Sequence, residues 1–467
     1  MTTITDALRR ALGDDRLVTD EAALAAHRID YWILAHLRAR ENRLNDPPVA
    51  VVQPRETAEV AAAVRVAREH RTPIVPYGGG SGVLGGAMPP AGSLVVDLRR
   101  MDRLLDLNET ALLARVQAGM LGSDYEAAVT ARGYTTGHYP QSIALATIGG
   151  LVATRSAGQF STLYGNIEDL CLGLEVVLAS GDVIRLDPVP RASTGPSLRE
   201  LFLGSEGTLG IVTEATLRLH PIAARRRLSS YTFASMDAAL DVIRRIVRVG
   251  WRPAVVRLYD APESQGHFGK QWNPAGRCVL VLLSEGPAAL ADAEYGACRD
   301  LATAAGGEDF GEAPVEHWLE HRNTVPTWDV FLEKEVMVDT IEIAATWDRV
   351  GPLYERVVAA LQQRPGILSA SAHSSHSYKQ GTNLYITFVL KPDDFATAER
   401  DYLDAWGCVM QTAIDCGGTI AHHHGIGRLR TPWLERELRS AYPVLRAVKR
   451  ALDPDGLLNP GVLVPAP

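Results

Sequence analysis

Between residues 76 and 82 the chain reads Pro-Tyr-Gly-Gly-Gly-Ser-Gly. Consecutive glycines carry no Cβ, so successive backbone N–H groups can turn inward around an anion. A pyrophosphate is the natural guest of such a loop. Residues 80–85 also satisfy G-x-G-x-x-G. That spacing marks a dinucleotide site only where a helix begins at the turn, its N-terminus facing the phosphates. Here Gly85-Gly86-Ala87-Met88-Pro89-Pro90 follows, and glycines and prolines in that density do not start a helix. A Rossmann site is therefore set aside.

The flanks place the loop in a mixed α/β context. Residues 49–52 read as a short buried strand and 54–70 as a helix, with Val60, Val64 and Ala67 on one face and Thr57 at the N-cap. Ile74-Val75 starts the next strand, which completes a β-α-β unit. From 78 to 221 helical signals thin out and short β-branched runs take over, at 93–98, 114–118, 174–178, 183–186 and 210–219. Two further small-residue loops stand beside such runs. One is Thr147-Ile148-Gly149-Gly150 with Thr154, Ser156 and Gly158; the other is 204–212, Gly-Ser-Glu-Gly-Thr-Leu-Gly-Ile-Val. Each alone reads as a tight turn. Three of them in one stretch of chain are better explained by one extended ligand threading between them.

From about residue 222 the texture changes. Helical stretches at 236–249, 287–305, 353–364 and 392–415 alternate with strand patterns at 255–258, 278–283 and 384–390. The expected division is a charged helical segment 1–46, a ligand-binding domain 47–221, an α+β cap 222–417 and a closing segment 418–467 that returns to the ligand domain. Composition narrows the partners. Lys+Arg total 47 and Asp+Glu 55, a net charge of −8 that leaves no electrostatic footprint for nucleic acid. No apolar run reaches the roughly 18 residues a membrane span needs, and residues 1–12 lack the basic-then-apolar pattern of a signal peptide. A cytoplasmic protein is expected. The five cysteines form no C-x-x-C, so free thiols are expected, with neither a disulfide framework nor a metal site.

In this order the three loops resemble the FAD-binding domain of the vanillyl-alcohol oxidase / para-cresol methylhydroxylase superfamily, over nearly the whole chain. More narrowly, several strings resemble the alkylglycerone-phosphate synthase branch. These include Thr136-Gly137-His138-Tyr139-Pro140-Gln141-Ser142, Tyr164-Gly165-Asn166-Ile167-Glu168-Asp169-Leu170 and Ser193-Thr194-Gly195-Pro196. Arg257-Leu258-Tyr259-Asp260, Trp347-Asp348-Arg349-Val350 and His422-His423-His424-Gly425-Ile426-Gly427-Arg428-Leu429-Arg430 continue the likeness. It implies an α+β two-domain flavoprotein, with an FAD-binding domain of two α/β subdomains and an α+β cap over the substrate.

The same likeness assigns candidate residues. Pro76, Gly78, Gly79, Gly80, Ser81 and Gly82 would hold the pyrophosphate. Gln141, Ser142, Thr147, Gly149, Gly150 and Thr154 would line the cofactor. Glu206, Thr208, Gly210 and Ile211 would meet its ribityl–adenine side. Members with covalent flavin carry a His near the end of the glycine loop; Ser81 holds that place here, so FAD is expected without a covalent bond.

Flavin chemistry needs a substrate held in place and a base poised near neutrality, and His suits that task. On an extended segment alternate side chains share a face, so His422 and His424 are expected to point one way and His423 the other. By resemblance His423, His424, Tyr378, His138 and Arg257 are catalytic candidates, with His373, His422 and Arg428 toward the substrate. A fixed guanidinium at Arg257 suits a carboxylate or phosphate.

Departures from the synthase pattern shape the reaction. His373 stands where the synthase has an Arg, which weakens the case for a phosphorylated substrate. The stretch after Tyr259 is short. Metal-dependent D-2-hydroxy-acid dehydrogenases of the superfamily carry a second His where this chain has Tyr385, and a Glu where it has His423, so no metal is expected at His373, His376, His422 and His424. The expectation is an FAD-dependent oxidoreductase taking a hydride from a small polar alcohol, hydroxy-acid or amine-type substrate. The alternative is a synthase-like non-redox transferase that makes an ether bond. A homodimer is kept open as the assembly.

Overall fold

The computed structural model describes residues 2–465; Met1 of the expected 1–46 segment and the last two residues of 418–467 lie outside the described residues. Three sheets carry the architecture. The first has the strand order Leu17–Val18, Ala50–Val52, Leu94–Asp97, Ile74–Tyr77. The last three run parallel and are almost wholly buried, as the near-continuous apolar runs of a covered parallel sheet require. Leu17–Val18 pairs antiparallel on the edge, so the N-terminal segment is not purely helical: it gives this sheet a strand between the helices Ile4–Leu12 and Ile33–Arg40.

The crossover helix is Thr57–Glu69, with Val60, Val64 and Ala67 buried. Its N-cap is Glu56 rather than Thr57, and no side chain caps it. The Thr57 hydroxyl instead donates to the Glu175 carboxylate of the second sheet. That sheet is antiparallel throughout, in the order Leu104–Asn108, Leu113–Gln117, Ile211–Arg218, Cys171–Val177, Val183–Leu186. One apolar core joins it to the first.

Helices also stand in the stretch where helical signals are thin, the two longest being Gly122–Thr130 and Ile148–Thr154. The second corrects the reading of 147–150 as a loop. Thr147 caps it, accepting from the Gly150 N–H. A Cβ on Gly149 would lie 2.7 Å from the Ala118 Cβ, so glycine there serves close packing of helix on strand.

The third sheet has seven antiparallel strands, ordered Glu308–Asp309, Arg225–Phe233, Cys278–Gly286, Val255–Tyr259, Ile367–Ser374, Gly381–Leu390, Met337–Thr346. Helices Met236–Val249, Ala288–Ala304, Val350–Gln362 and Ala398–Asp415 share its apolar core. Alternation along Gly381–Leu390 shows how the faces divide. Leu384, Ile386 and Phe388 enter that core, while Tyr385, Thr387 and Val389 point the other way and are only partly covered. The chain end returns to the first sheet: Ile74 N–H donates to Leu457 O, and Asn459 N–H to Ile74 O. Among the described residues no helix is long and apolar enough to cross a membrane.

Candidate active site

A cavity of about 800 Å³ runs from the glycine loop to the face of the seven-stranded sheet that its helices leave free. Pro76 and residues 78–82 form one wall. The loop lies so close to 145–147 that Cβ atoms would collide. One on Gly79 would stand 1.7 Å from Leu145 O, and one on Gly78 would stand 2.3 Å from Thr147 Oγ1. Gly80 has φ +64, a conformation favoured by glycine. Among the described residues, the backbone N–H groups of Gly79, Gly80, Ser81 and Gly82 have no protein acceptor. Gln141, Ser142, Thr147, Gly149, Gly150 and Thr154 line the facing wall, with Glu206, Gly210 and Ile211 beside them. Asn459 also lines the cavity; its Nδ2 donates to Gly86 O and Glu206 O, while its buried Oδ1 has no partner. A row of unengaged N–H donors and a free amide acceptor fit an elongated diphosphate cofactor.

A strap of chain from the cap crosses the cavity. Gln141 Nε2 donates to Thr324 O, Gln159 Nε2 to Arg322 O, and Arg322 Nη1 back to Gln159 Oε1. The Tyr31 hydroxyl donates to Pro326 O, and Trp328 Nε1 to Tyr31 O. Val325, Pro326 and Trp328 face the interior.

The cap sheet supplies the charged end. Register sets His373 opposite Tyr259 on one side and Tyr385 on the other. His373 stacks on Tyr385, with ring centroids 4.7 Å apart and 15° between planes. Arg257 Nε donates to the Tyr259 hydroxyl at 2.6 Å, and its Nη2 to His373 Nε2 at 2.9 Å. His373 Nδ1 therefore carries the hydrogen and donates to Glu263 Oε2 at 2.7 Å. Burial, then the Arg257 charge, lowers His373 below the usual imidazole range. Burial alone would raise Glu263, but its His373 and Thr387 contacts override that and hold it low.

The histidine segment is bent rather than extended, because the His423 and His424 N–H groups both donate to Glu342 Oε1. His423 and His424 consequently both reach the cavity, and only His422 turns away, against the alternation expected. Glu342 is fully buried and paired to Arg430 by two bonds of 2.8 Å. His424 Nδ1 lies 2.9 Å from Glu342 Oε2 but is not aligned as a hydrogen bond, and its Nε2 meets the Tyr385 hydroxyl at 2.9 Å. His423 Nδ1 faces His422 Nδ1 at 2.9 Å. Burial, then the neighbouring imidazoles His424 and His376, holds His423 well below the usual range. Burial likewise brings His422 to about 4.

Five candidates stand outside the cavity wall. The Tyr378 hydroxyl is one step behind it, 2.8 Å from His422 Nε2 and accepting from Asn166 Nδ2. His138 is buried behind Ser156, with Nε2 2.8 Å from that hydroxyl. His422 links Tyr378 to His423. The Arg428 guanidinium donates to the carbonyls of Met88 and Pro460. The Thr208 hydroxyl donates to Ser205 O. Glu206 lines the cavity, but its carboxylate accepts from the Ile426 and Gly427 N–H groups. Missed from sequence are Glu263, Tyr385, Glu342 and Asn459. Tyr385 and Thr387 were findable as alternate positions on one strand; nothing local marks the other three. His376, His422 and His423 each bring a nitrogen within 4.8 Å of the others, a set without a carboxylate.

A ligand slot walled by bare glycine backbone and closed by a histidine-bearing antiparallel cap defines a two-domain FAD-binding flavoprotein. The comparisons say the same. Residues 48–187 match the FAD binding domain model, and 222–463 match the model for the C-terminal domain of FAD linked oxidases. The chain belongs to this family of FAD-linked oxidases: it is an enzyme, and its cofactor is FAD. It is 33% identical to the FAD-linked oxidoreductase YgcU of Escherichia coli K12, over 99% of this chain and 98% of that one. Identity is 27% to alkyldihydroxyacetonephosphate synthase of Dictyostelium discoideum, covering 97% and 79%. It is 28% to the glycolate oxidase subunit GlcD of Bacillus subtilis, covering 89% and 88%. A solved alkyldihydroxyacetonephosphate synthase superposes with TM-score 0.83 at 25% identity, over 98% of this chain and 85% of that chain. The 4-ethylphenol oxidase of Gulosibacter chungangensis, at 18% identity and TM-score 0.79 over 99% and 97%, shares the fold.

Proposed function

We propose that this enzyme oxidises a small polar alcohol, hydroxy-acid or amine-type substrate in the cavity between its glycine loop and its cap. Residues 47–221 with 418–467 hold the cofactor, and 222–417 hold the substrate. Bound FAD would supply the two-electron acceptor for the hydride that the substrate carbon gives up. The chain must do the rest: bind, orient and remove a proton.

One observation carries the reading. Arg257 opens onto the same cavity as His423, a histidine kept neutral by burial and by the imidazoles around it. Arg257 is anchored through Nε and Nη2, which leaves Nη1 to meet an anionic group. In this reading His423 Nδ1–H donates to His422 Nδ1, which leaves His423 Nε2 unprotonated and able to take the substrate proton. His422 Nε2–H then donates to the Tyr378 oxygen, so that His422 and Tyr378 stand behind His423 as positioning residues for that tautomer.

FAD sits without a covalent bond in this proposal. Ser81 occupies the glycine loop where covalent relatives carry His, and among the described residues no cysteine lines the cavity. Acid precipitation should leave all yellow colour in the supernatant.

Anaerobic stopped-flow mixing tests the reaction. A substrate from this class should bleach the flavin absorbance, and H423A should slow that phase by about 100-fold or more. The proposal is wrong if H423A and Y378F both reduce flavin at the wild-type rate. It is also wrong if acyl-glycerone phosphate and a fatty alcohol yield an ether while no alcohol bleaches the flavin.

A further inference from the structure

Past Arg257 and His373 the cap sheet presents an ordered set of hydroxyl groups. Residues two apart on a strand share a face. On Ile367–Ser374 the face bearing His373 also bears Ser371 and Ser369; on Gly381–Leu390 the face bearing Tyr385 bears Thr387. Register sets Thr340 opposite Thr387, and Thr387 opposite Ser371. Three hydroxyl side chains therefore cross the sheet in one row, next to the row of His373 and Tyr385, and all line the cavity. Ser371 is buried and Ser369 exposed, so this wall leads from the closed end to solvent. From His373 to Ser369 the strand rises about 13 Å.

A carboxylate runs along the same wall. Glu263 Oε1 accepts from Thr387 Oγ1 at 2.6 Å and from Ser371 Oγ at 3.4 Å, while its Oε2 accepts from His373. Pro262, Val325, Pro326 and Trp328 line the cavity as apolar surface. A ligand with a hydroxylated edge and a C–H face uses both surfaces. An alkyl chain would desolvate the hydroxyls and Glu263 and return no hydrogen bonds.

We propose that the substrate is a polyhydroxylated chain with an anionic end, an aldonate-type sugar acid. Its anionic group lies at Arg257, and its distal hydroxyls lie along Thr387, Ser371 and Ser369. This rests on the oxidation reading for its chemistry, but hydroxyl recognition is measurable without turnover.

The holoenzyme is reduced with dithionite under nitrogen, so nothing is oxidised, and titrated calorimetrically. The probes are gluconate, galactonate, gulonate and xylonate, set against both enantiomers of 2-hydroxyhexanoate, which lack the distal hydroxyls. At least one aldonate should bind about tenfold or more tighter than either hydroxyhexanoate. Thr387→Val combined with Ser371→Ala should erase that advantage. Hydroxyhexanoate binding as tightly as every aldonate overturns the inference, as does an advantage undiminished in the double variant. The same compounds, mixed with oxidised enzyme without oxygen, report separately on the reaction. An aldonate that binds selectively yet never bleaches the flavin sustains this inference and sinks the oxidation reading.

Discussion

Glu206 and His138 show how single buried groups at this site respond to pH in opposite senses. Glu206 sits in the left-handed region at φ +48, and its carboxylate accepts from the Ile426 and Gly427 N–H groups. Burial pushes it up to about 7. The folded state then holds its proton more tightly than the unfolded chain, whose value is 4.5. Its contribution to stability is complete below pH 4.5 and is lost as pH rises through about 7. E206Q keeps an acceptor and removes the titration, so its stability relative to wild type should climb across that window. E206A leaves two N–H groups without an acceptor and should cost about 2 kcal/mol or more in urea unfolding of the holoenzyme. His138 is pushed down to about 4 by burial. Its contribution is complete above the unfolded value near 6.5 and is lost as pH falls toward 4. Relative to H138Q, wild type should lose about 3 kcal/mol between pH 7 and 4. A difference that stays flat with pH would show that His138 carries no such depression. The type and neighbourhood of these residues were legible in the sequence. The Glu206 partners were not, because they lie 220 residues further along the chain.

Elements were read best where periodicity is long. The helix Met236–Val249 falls within the expected bounds, with Ser235 accepting from the Ala238 N–H and Gly250 ending it at φ +108. Reading failed where an element is short and set by distant contacts. Ile148–Thr154 reads as a loop because glycines act as breakers, yet Gly149 serves its packing on Ala118. The bend of the histidine segment follows from Glu342, which no local pattern connects to it. The strap around 322–328 has no periodic signature either, and its backbone carbonyls are held by Gln141, Gln159 and Tyr31. Since it crosses the cavity, loosening it should speed cofactor escape. Gln141→Ala with Gln159→Ala should raise the FAD release rate several-fold, read from the appearance of free-flavin fluorescence. An unchanged rate would mean that the strap does not gate the cofactor. Arg257→Lys probes the cap side: a point charge cannot keep both the Tyr259 and His373 bonds. KM for an anionic substrate should rise about tenfold or more in steady-state assays, while an uncharged alcohol should be affected far less.

At the scale of the molecule, what the sequence made visible was convergence: bare-backbone loops far apart in the chain, each beside a strand. It did not show why the halves stay together. Tyr164 donates to Glu285 at 2.6 Å, and Arg226 pairs with the same carboxylate. Arg252 donates to the carbonyls of Thr162 and Leu163. Glu342 on the cap strand is joined to Arg430 near the chain end. Apolar cores join the halves as well: Phe160 and Tyr164 pack with Val255, Tyr259 and Val281, and Leu84 and Met88 with the core under the cap helices. Between these contacts lies the cavity of about 800 Å³. A cofactor filling it touches both halves at once and binds only the folded chain. By mass action it then stabilises the native state by about 2.7 kcal/mol at a hundredfold excess over its Kd. Stripping FAD should therefore lower Tm by several degrees, and added FAD should restore it in proportion to the logarithm of its concentration. Calorimetry of the loaded enzyme should show the halves unfolding in one transition; the stripped enzyme should unfold earlier and less cooperatively. If free FAD leaves the stripped protein's Tm unmoved, the cavity is not where the halves are held together, and a non-covalent cofactor there is ruled out.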